Sequence, residues 1–272
     1  MPLLIVYSIF IHLRGMVIKS DLPSKGRPIL FSIFLGIVLT LLISVASAVA
    51  TVQSLGDTGI MVAQGCAFII MAMAVTLYMR KKDRTMAIFG FKRLAGGDNK
   101  AALYYVPLCI IVFVQPVIGG LNFELSLGKV VLIVLFSLVV GYTEESIFRG
   151  IIWERLKDKG SLFYILFSSI FFGILHMANA LNGRDWLSIL LQIINAFLIG
   201  LILALLIEMT ARILPLIIFH FMFDAMAQLT NTTITENKVF VVSVLNICYL
   251  LYGTYLALML TRRRKANIQI SF

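Results

Sequence analysis

Eight apolar stretches, each close to the length of a membrane-crossing helix, limit what this sequence can fold into. A bilayer core about 30 Å thick takes roughly 20 apolar residues per helix. Hydrophobic residues make up 60% of the 272-residue chain and charged residues only 13%, unlike a soluble domain. We therefore predict an all-α, polytopic membrane bundle of about eight transmembrane helices. The stretches are Ile29 to Val49, Ile60 to Met79, Ala102 to Ile118, Val130 to Ile152, Leu162 to Ala180, Leu187 to Ile207, Ile213 to Leu229 and Val239 to Leu260.

One membrane domain with short flanking segments is expected. Residues 1–28 are predicted to be a cytoplasmic N-terminal segment, in which the apolar run Met1 to Leu13 lies at the membrane interface. Basic residues follow this run rather than precede it, which is the wrong order for a cleavable signal peptide. The helical domain is predicted over 29–260, with a functional core at about 130–229, and residues 261–272 form a basic cytoplasmic tail. The three cysteines show no paired spacing that would indicate disulfides or a metal site: Cys66, Cys109 and Cys248.

The formal net charge of +10 is distributed in a way that indicates membrane topology. Basic residues collect in alternate loops and at both ends, whereas the opposite loops hold only Lys129, Arg184 and Lys238. This positive-inside pattern predicts that both termini are cytoplasmic. A nucleic-acid surface would need these charges on one face, with aromatic or base-reading partners. We expect an integral membrane protein with no nucleic-acid partner.

Six ionisable residues lie inside the apolar stretches, where each costs a few kcal/mol on insertion scales. All other charged residues, and the remaining His12, can be placed in a loop, a tail or the end of a span. The six fall on the fourth, fifth and seventh stretches and indicate one polar site within the bilayer. They are Glu144, Glu145, Arg149, His176, His220 and Asp224.

Helical spacing predicts a pair on the fourth stretch. Glu145 and Arg149 are four residues apart and share a face, which indicates a buried ion pair with a structural or supporting role. Glu144 is rotated by about 100° from Glu145 and is expected to face another helix.

Spacing also predicts a pair on the seventh stretch. His220 and Asp224 are four residues apart, so the carboxylate can accept a proton from one imidazole nitrogen and fix which nitrogen is free. His176 has no partner on its own helix, and we expect it to meet Glu144. At about 1.5 Å per residue from the predicted cytoplasmic ends, however, Glu144 lies roughly 12 Å deep and His176 roughly 21 Å deep. This mismatch has no explanation in the sequence.

A carboxylate and a histidine that meet in a dry cavity can hold a water molecule and take its proton. The second histidine could donate to the oxyanion that forms when a peptide carbonyl is attacked. Ser146 and Ser169 stay open as covalent nucleophiles, but neither is placed beside a histidine, so water is the expected attacker. The set of residues indicates hydrolytic chemistry.

At these residues the sequence resembles the CPBP family of intramembrane proteases, which includes type II CAAX prenyl proteases and the bacterial Abi proteins. The family pattern reads Glu-Glu-x-x-x-Arg, then Phe-x-x-x-His, then His-x-x-x-Asn or Asp. Residues 144–149, 172–176 and 220–224 fit its three parts in order and use all six ionisable residues. The match covers about a third of the chain, and the other stretches are similar to the family only in hydropathy.

The resemblance implies an intramembrane endopeptidase that acts on membrane-associated peptide or protein substrates. Glu144 would activate water together with His176. His220 and Asp224 would support the oxyanion. The resemblance also implies a bacterial plasma membrane location, with processing of a peptide signal or a bacteriocin, or self-immunity, as the biological role.

Three carboxylates and one arginine leave two negative charges in excess when both histidines are neutral, which a buried cavity tolerates poorly. Either the carboxylates share a proton, a histidine is charged, or a divalent cation such as Zn²⁺ is bound. A bound metal would have Glu144, His176 and His220 as ligands. We expect the glutamate-and-water mechanism, which needs no cofactor.

The sequence is also consistent with two other functions. A proton-coupled transporter would use the same intramembrane Glu, Asp and His side chains as a relay. It would commonly show inverted repeats, and no repeat is apparent. The protein could instead be a non-catalytic scaffold, or a regulator of a membrane partner such as a sensor kinase, that retains the site residues without catalytic use. The presence of all three motif elements argues against this reading.

Overall fold

The computed structural model describes residues 27–92, 102–178, 186–231 and 238–270. These residues contain eight apolar helices of ten residues or more and no β-strand, which confirms the all-α prediction and its helix count. The predicted interfacial run Met1 to Leu13 lies outside the described residues. The helices are α1 Pro28–Val52, α2 Asp57–Lys82, α3 Leu103–Gly119, α4 Leu127–Lys159, α5 Ser161–Ala178, α6 Trp186–Thr210, α7 Leu214–Leu229 and α8 Lys238–Ile270.

Six of these helices are long and apolar enough to cross a bilayer, whereas α3 and α7 are shorter. Their outer faces carry large apolar side chains, and Phe34, Leu77 and Leu251 are each more than 60% exposed. Apolar surface of this extent is not stable in water and is expected in contact with lipid. The chain is an integral membrane protein.

The bundle centres on a close contact between α4 and α7. Gly141 of α4 makes this contact possible, because a Cβ atom at that position would lie 2.8 Å from the backbone nitrogen of Phe221. Small residues let membrane helices approach closely in this way. Glu144 lies one turn beyond Gly141 and therefore comes next to His220. On the other side of the site, α5 packs on α6, which also contacts α8.

Replacing Gly141 by Ala is expected to destabilise the protein by about 1–3 kcal/mol, because the added methyl group would push α7 away from α4. Thermal unfolding of the purified protein in detergent measures this change. Gly128→Ala is the matched control on the same helix, since nothing lies within 4 Å of a Cβ atom there. Wild-type stability in Gly141→Ala would contradict the close contact.

The interior of α4 is not a regular α-helix. It is α-helical over Leu127–Glu145, becomes a π-helix over Ser146–Ile151 and then continues through Ile152–Leu156 to Lys159. All six residues of the π-helical segment are buried. Such segments are rare and are frequent at functional sites. This one begins directly after the paired glutamates.

The length of α4 removes the mismatch in depth between Glu144 and His176. The predicted fourth stretch ends at Ile152, whereas the helix continues to Lys159. Glu144 lies 15 residues from Lys159, and His176 lies 15 residues from Ser161, where α5 begins. At 1.5 Å per residue both are about 22 Å from these adjacent helix ends. The two side chains are at about the same level of the bundle.

Candidate active site

The three motifs contribute side chains to one cavity of about 280 Å³ within the bundle. Its lining includes Glu144 from α4, His176 from the end of α5, and His220 and Asp224 from α7. A smaller cavity of about 160 Å³ shares both histidines and Asp224 with it. The structure thus brings four of the predicted site residues together from three helices.

Glu145 and Arg149 form the buried ion pair that their spacing predicts. Nη1 of Arg149 donates to Oε1 of Glu145 at 3.1 Å, and both side chains are completely buried. Nη2 of Arg149 donates to the carbonyl of Gly200 on α6 at 3.2 Å. The guanidinium also lies 4.7 Å from the ring centroid of Phe172, close enough for a cation–π contact. Arg149 therefore ties the π-helical segment of α4 to α5 and α6.

His220 has carboxylates at both ring nitrogens. Its Nδ1 lies 2.8 Å from Oε1 of Glu145. Its Nε2 lies 3.7 Å from Oε2 of Glu144 and 3.5 Å from Oδ2 of Asp224. An ionised carboxylate only accepts hydrogen bonds, so this arrangement suits an imidazolium with a proton on each nitrogen. Of the three ways to offset the excess negative charge, the geometry favours a charged histidine.

The structure adds to one predicted pairing and corrects another. The predicted contact of Asp224 with the imidazole of His220 is present at 3.5 Å, and the shortest carboxylate contact of that ring, at 2.8 Å, is with Glu145. The sequence also predicts that Glu144 meets His176, whereas the histidine that Glu144 contacts is His220. Glu145 is therefore more than a packing residue, because its Oε1 accepts hydrogen bonds from both an arginine and a histidine.

His176 takes its hydrogen-bond partner from its own helix. Its Nδ1 lies 2.8 Å from the carbonyl oxygen of Phe172, which can only accept, so Nδ1 carries a proton. The rings of these two residues stand edge to face, with centroids 4.9 Å apart. In the neutral imidazole Nε2 is then the acceptor nitrogen, which suits it to bind a proton of water.

The two serines that the sequence leaves open as nucleophiles are buried. The hydroxyl of Ser169 donates to the carbonyl of Ile165 at 2.6 Å. Neither Ser169 nor Ser146 is among the described residues that line the two cavities. Water stays the expected attacking group.

The three side chains suggested as metal ligands do not form a metal-binding group in the structure. In the described parts of the chain, no three His, Cys, Asp or Glu side chains are arranged so that they could hold a metal ion. We therefore derive no chemical step through a metal.

Two amides of α6 also lie at the site, although they are not among the ionisable residues that indicate it in the sequence. Gln192 lines both cavities, and Asn195 lines the smaller one. The carbonyl oxygen of the Gln192 side chain is buried with no hydrogen-bond partner among the described residues, whereas Asn195 donates to Asn246 of α8 at 3.3 Å. A signal exists in the sequence, because two amides three residues apart in an apolar stretch share a helix face.

Residues 126–226 match the family model described as Type II CAAX prenyl endopeptidase Rce1-like. The matched segment begins just before α4, ends in α7 and includes all six intramembrane ionisable residues. It confirms the resemblance to the CPBP and CAAX protease family that the three motifs indicate. Neither a curated protein nor a solved structure matches the chain significantly.

Proposed function

We propose that this chain, which carries an Rce1-like CAAX endopeptidase domain over residues 126–226, hydrolyses peptide bonds of membrane-associated substrates within the bilayer. The domain supports an intramembrane protease at the level of the family. The observation that carries the proposal is that Glu144, His176 and His220 line one cavity with room for water. Ionisable side chains are costly in a membrane interior, and their convergence on a cavity is typical of a functional site.

Glu144 is the proposed general base. Its side chain is 13% exposed, whereas that of Glu145 is completely buried. Of these two carboxylates, water in the cavity can therefore reach only that of Glu144. Nε2 of His176 is the second proton acceptor in this cavity. A water molecule that donates one proton to Glu144 and one to His176 is held with its oxygen ready to attack a peptide carbonyl. The proton moves to Glu144 as the new C–O bond forms, and then to the leaving nitrogen as the C–N bond breaks.

His220 is proposed to stabilise the oxyanion of the tetrahedral intermediate. As an imidazolium it offers an N–H group and a positive charge on the cavity side of the ring, where negative charge develops on the substrate. Glu145 holds the opposite nitrogen at 2.8 Å, and Arg149 holds Glu145. Asp224, whose side chain is 30% exposed, lies 3.5 Å from Nε2, the cavity-side nitrogen of His220, and supports the positive charge of the ring.

The substrate peptide is proposed to lie in the part of the cavity formed by α1 and α2. Polar groups alternate there with apolar ones, and the amide of Gln64 donates to the hydroxyl of Ser47 at 2.8 Å. Gln192 of α6 also lines this cavity, and a turn of its side chain would bring the unpartnered amide oxygen within reach of a substrate N–H. Membrane-inserted precursors of peptide signals or bacteriocins are the substrates that we propose. The lining on this side comprises Leu39, Thr40, Ile43, Ser44, Ser47, Gln64 and Phe68.

We also propose that the basic ends of the helices face the cytoplasm. Lys82 at the end of α2 pairs with Glu154 of α4 at 2.5 Å, and Arg264 of α8 donates to Ser161 at the start of α5. The basic segments that the charge pattern assigns to one side of the membrane thus come together at one end of the bundle. Their common location supports the positive-inside orientation.

Cleavage by the purified protein in proteoliposomes tests the proposed function. Membrane-inserted candidate peptides are offered, and their products are identified by mass spectrometry. His176→Ala and His220→Ala are expected to lose cleavage while they keep normal expression, and His12→Ala, the third histidine of the chain, is the matched control. Unchanged cleavage in both site variants would rule out this site. Ion flux that depends on the same residues, without cleavage, would instead support the transporter.

Chelation is expected to leave the rate of cleavage unchanged, because the proposed steps use only water, Glu144 and the two histidines. The measurement compares rates before and after treatment with a strong Zn²⁺ chelator, followed by addition of Zn²⁺. Loss of cleavage that Zn²⁺ restores would contradict the metal-free mechanism, although the chain would still be a protease.

A further inference from the structure

A groove of about 570 Å³ lies between α3 and α7, and none of the six motif residues lines it. Its floor is formed by the buried side chains of Leu108, Val112 and Phe219. Half-exposed apolar side chains form its walls, so the groove is open to the surroundings of the bundle. The wall residues include Phe113, Leu214 and Ile218.

One end of this groove carries positive charge. Lys92 and Arg212 both line it, and the N–H of Ile213 donates to the carbonyl of Gly90 at 3.0 Å, which brings their two loops together. From Arg212 the groove follows α7 to Met222, a distance of about 15 Å at 1.5 Å per residue. The groove is therefore a long apolar space with a cationic end.

The loop that carries Lys92 is held in place by its own hydrogen bonds. Asp83 accepts from the hydroxyl of Thr85 at 2.7 Å and from the N–H of Ile88 at 3.1 Å. These hydrogen bonds hold the pKa of Asp83 below its ordinary value, and the bond from the Thr85 hydroxyl has the largest effect. Gly90 closes the loop at a φ of +90°, which glycine adopts without strain. The cationic end is thus formed in advance of any ligand.

We propose that this groove binds an anionic phospholipid of the surrounding bilayer, with one acyl chain between α3 and α7 and the phosphate beside Lys92 and Arg212. Basic pockets between membrane helices recognise anionic head groups in this way. A zwitterionic lipid fits the same apolar space but brings a positive group next to two cations.

The lipid site is separate from the catalytic site but shares a helix with it. Phe219 forms part of the groove floor, and the next residue, His220, lines the catalytic cavity. A lipid in the groove therefore packs against the helix that holds the proposed oxyanion donor. Lipid binding does not depend on proteolysis and is measured without a substrate.

Alkylation of Cys109 tests this proposal, because Cys109 lines the groove and is exposed. Cys66 on α2 is also exposed, lies outside the groove and is the internal control. The protein is freed of lipid in detergent and treated with an apolar maleimide at increasing concentrations of phosphatidylglycerol, or of phosphatidylcholine with the same acyl chains. Mass spectrometry of the peptides gives the alkylation rate of each cysteine separately.

Phosphatidylglycerol is expected to slow alkylation of Cys109 at least tenfold with no change at Cys66, at concentrations about 30-fold below those that phosphatidylcholine requires. Lys92→Gln should weaken protection by phosphatidylglycerol about fivefold. Arg84→Gln, an exposed cation of the same loop outside the groove, should leave protection unchanged. Equal protection by both lipids, or no protection by either, would overturn the proposal.

Discussion

Replacing Glu144 by Gln is expected to lower kcat for peptide cleavage by about 10²–10⁴-fold, the usual contribution of a general base. The amide keeps the size of the side chain but cannot take a proton from water. KM should change little, because the proposed peptide-binding surface on α1 and α2 is unaltered. The proteoliposome assay measures both constants once a substrate is found.

Glu154→Gln is the matched control for this prediction. Glu154 lies on the same helix and is 13% exposed, as Glu144 is, but it pairs with Lys82 and lies outside both cavities. Its replacement should leave the kinetics within about twofold of wild type, as expected for a carboxylate that takes no part in the chemistry. Retention of more than a tenth of wild-type kcat in Glu144→Gln would contradict the base role.

Arg149→Met is expected to destabilise the protein by about 3–5 kcal/mol, the usual cost of removing one partner of a buried ion pair. The variant would leave Glu145 with no arginine partner and would remove the hydrogen bond to Gly200. Unfolding by heat or denaturant in detergent micelles measures the change. Cleavage should fall as well, since Glu145 positions His220.

The double variant Glu145→Gln with Arg149→Met separates stability from activity. Removing both charges of a buried pair is often nearly neutral, so the double variant should be more stable than Arg149→Met alone. Cleavage should stay low, because a neutral amide holds the charged form of His220 less well than a carboxylate does. Strictly additive effects of the two substitutions on stability would show that the pair is not coupled.

The residues that meet at the candidate site could be predicted from sequence to lie together because a membrane makes buried charge rare. In a soluble protein Glu144 or His220 would be one of many polar residues, whereas here six side chains stand out against apolar stretches. Spacing of four residues on a helix also predicts the Glu145–Arg149 pair, which the structure has at 3.1 Å.

The contacts between helices could not be predicted in the same way. Periodicity places a residue on a face but does not give the rotation of one helix against another, so it does not predict the contact of Glu145 with His220. The π-helical segment over Ser146–Ile151 has no sequence signal comparable to the hydrophobic period. Hydropathy does not predict the end of α4 at Lys159 either, because helices continue past the apolar residues that define a span.

If the proposed proteolysis takes place at this site, the depth of Glu144 and His176 restricts which polypeptides can be cut. A segment that crosses the bilayer as a helix has every carbonyl bonded within its own backbone, so it must unwind before one of them is exposed to attack. Glycine costs about 1 kcal/mol and proline about 3 kcal/mol relative to alanine within a helix. For the proposed protease, segments weakened by such residues near the scissile bond are therefore expected to be cut in preference to stable helices, so that discrimination between substrates would depend on the ease of local unwinding.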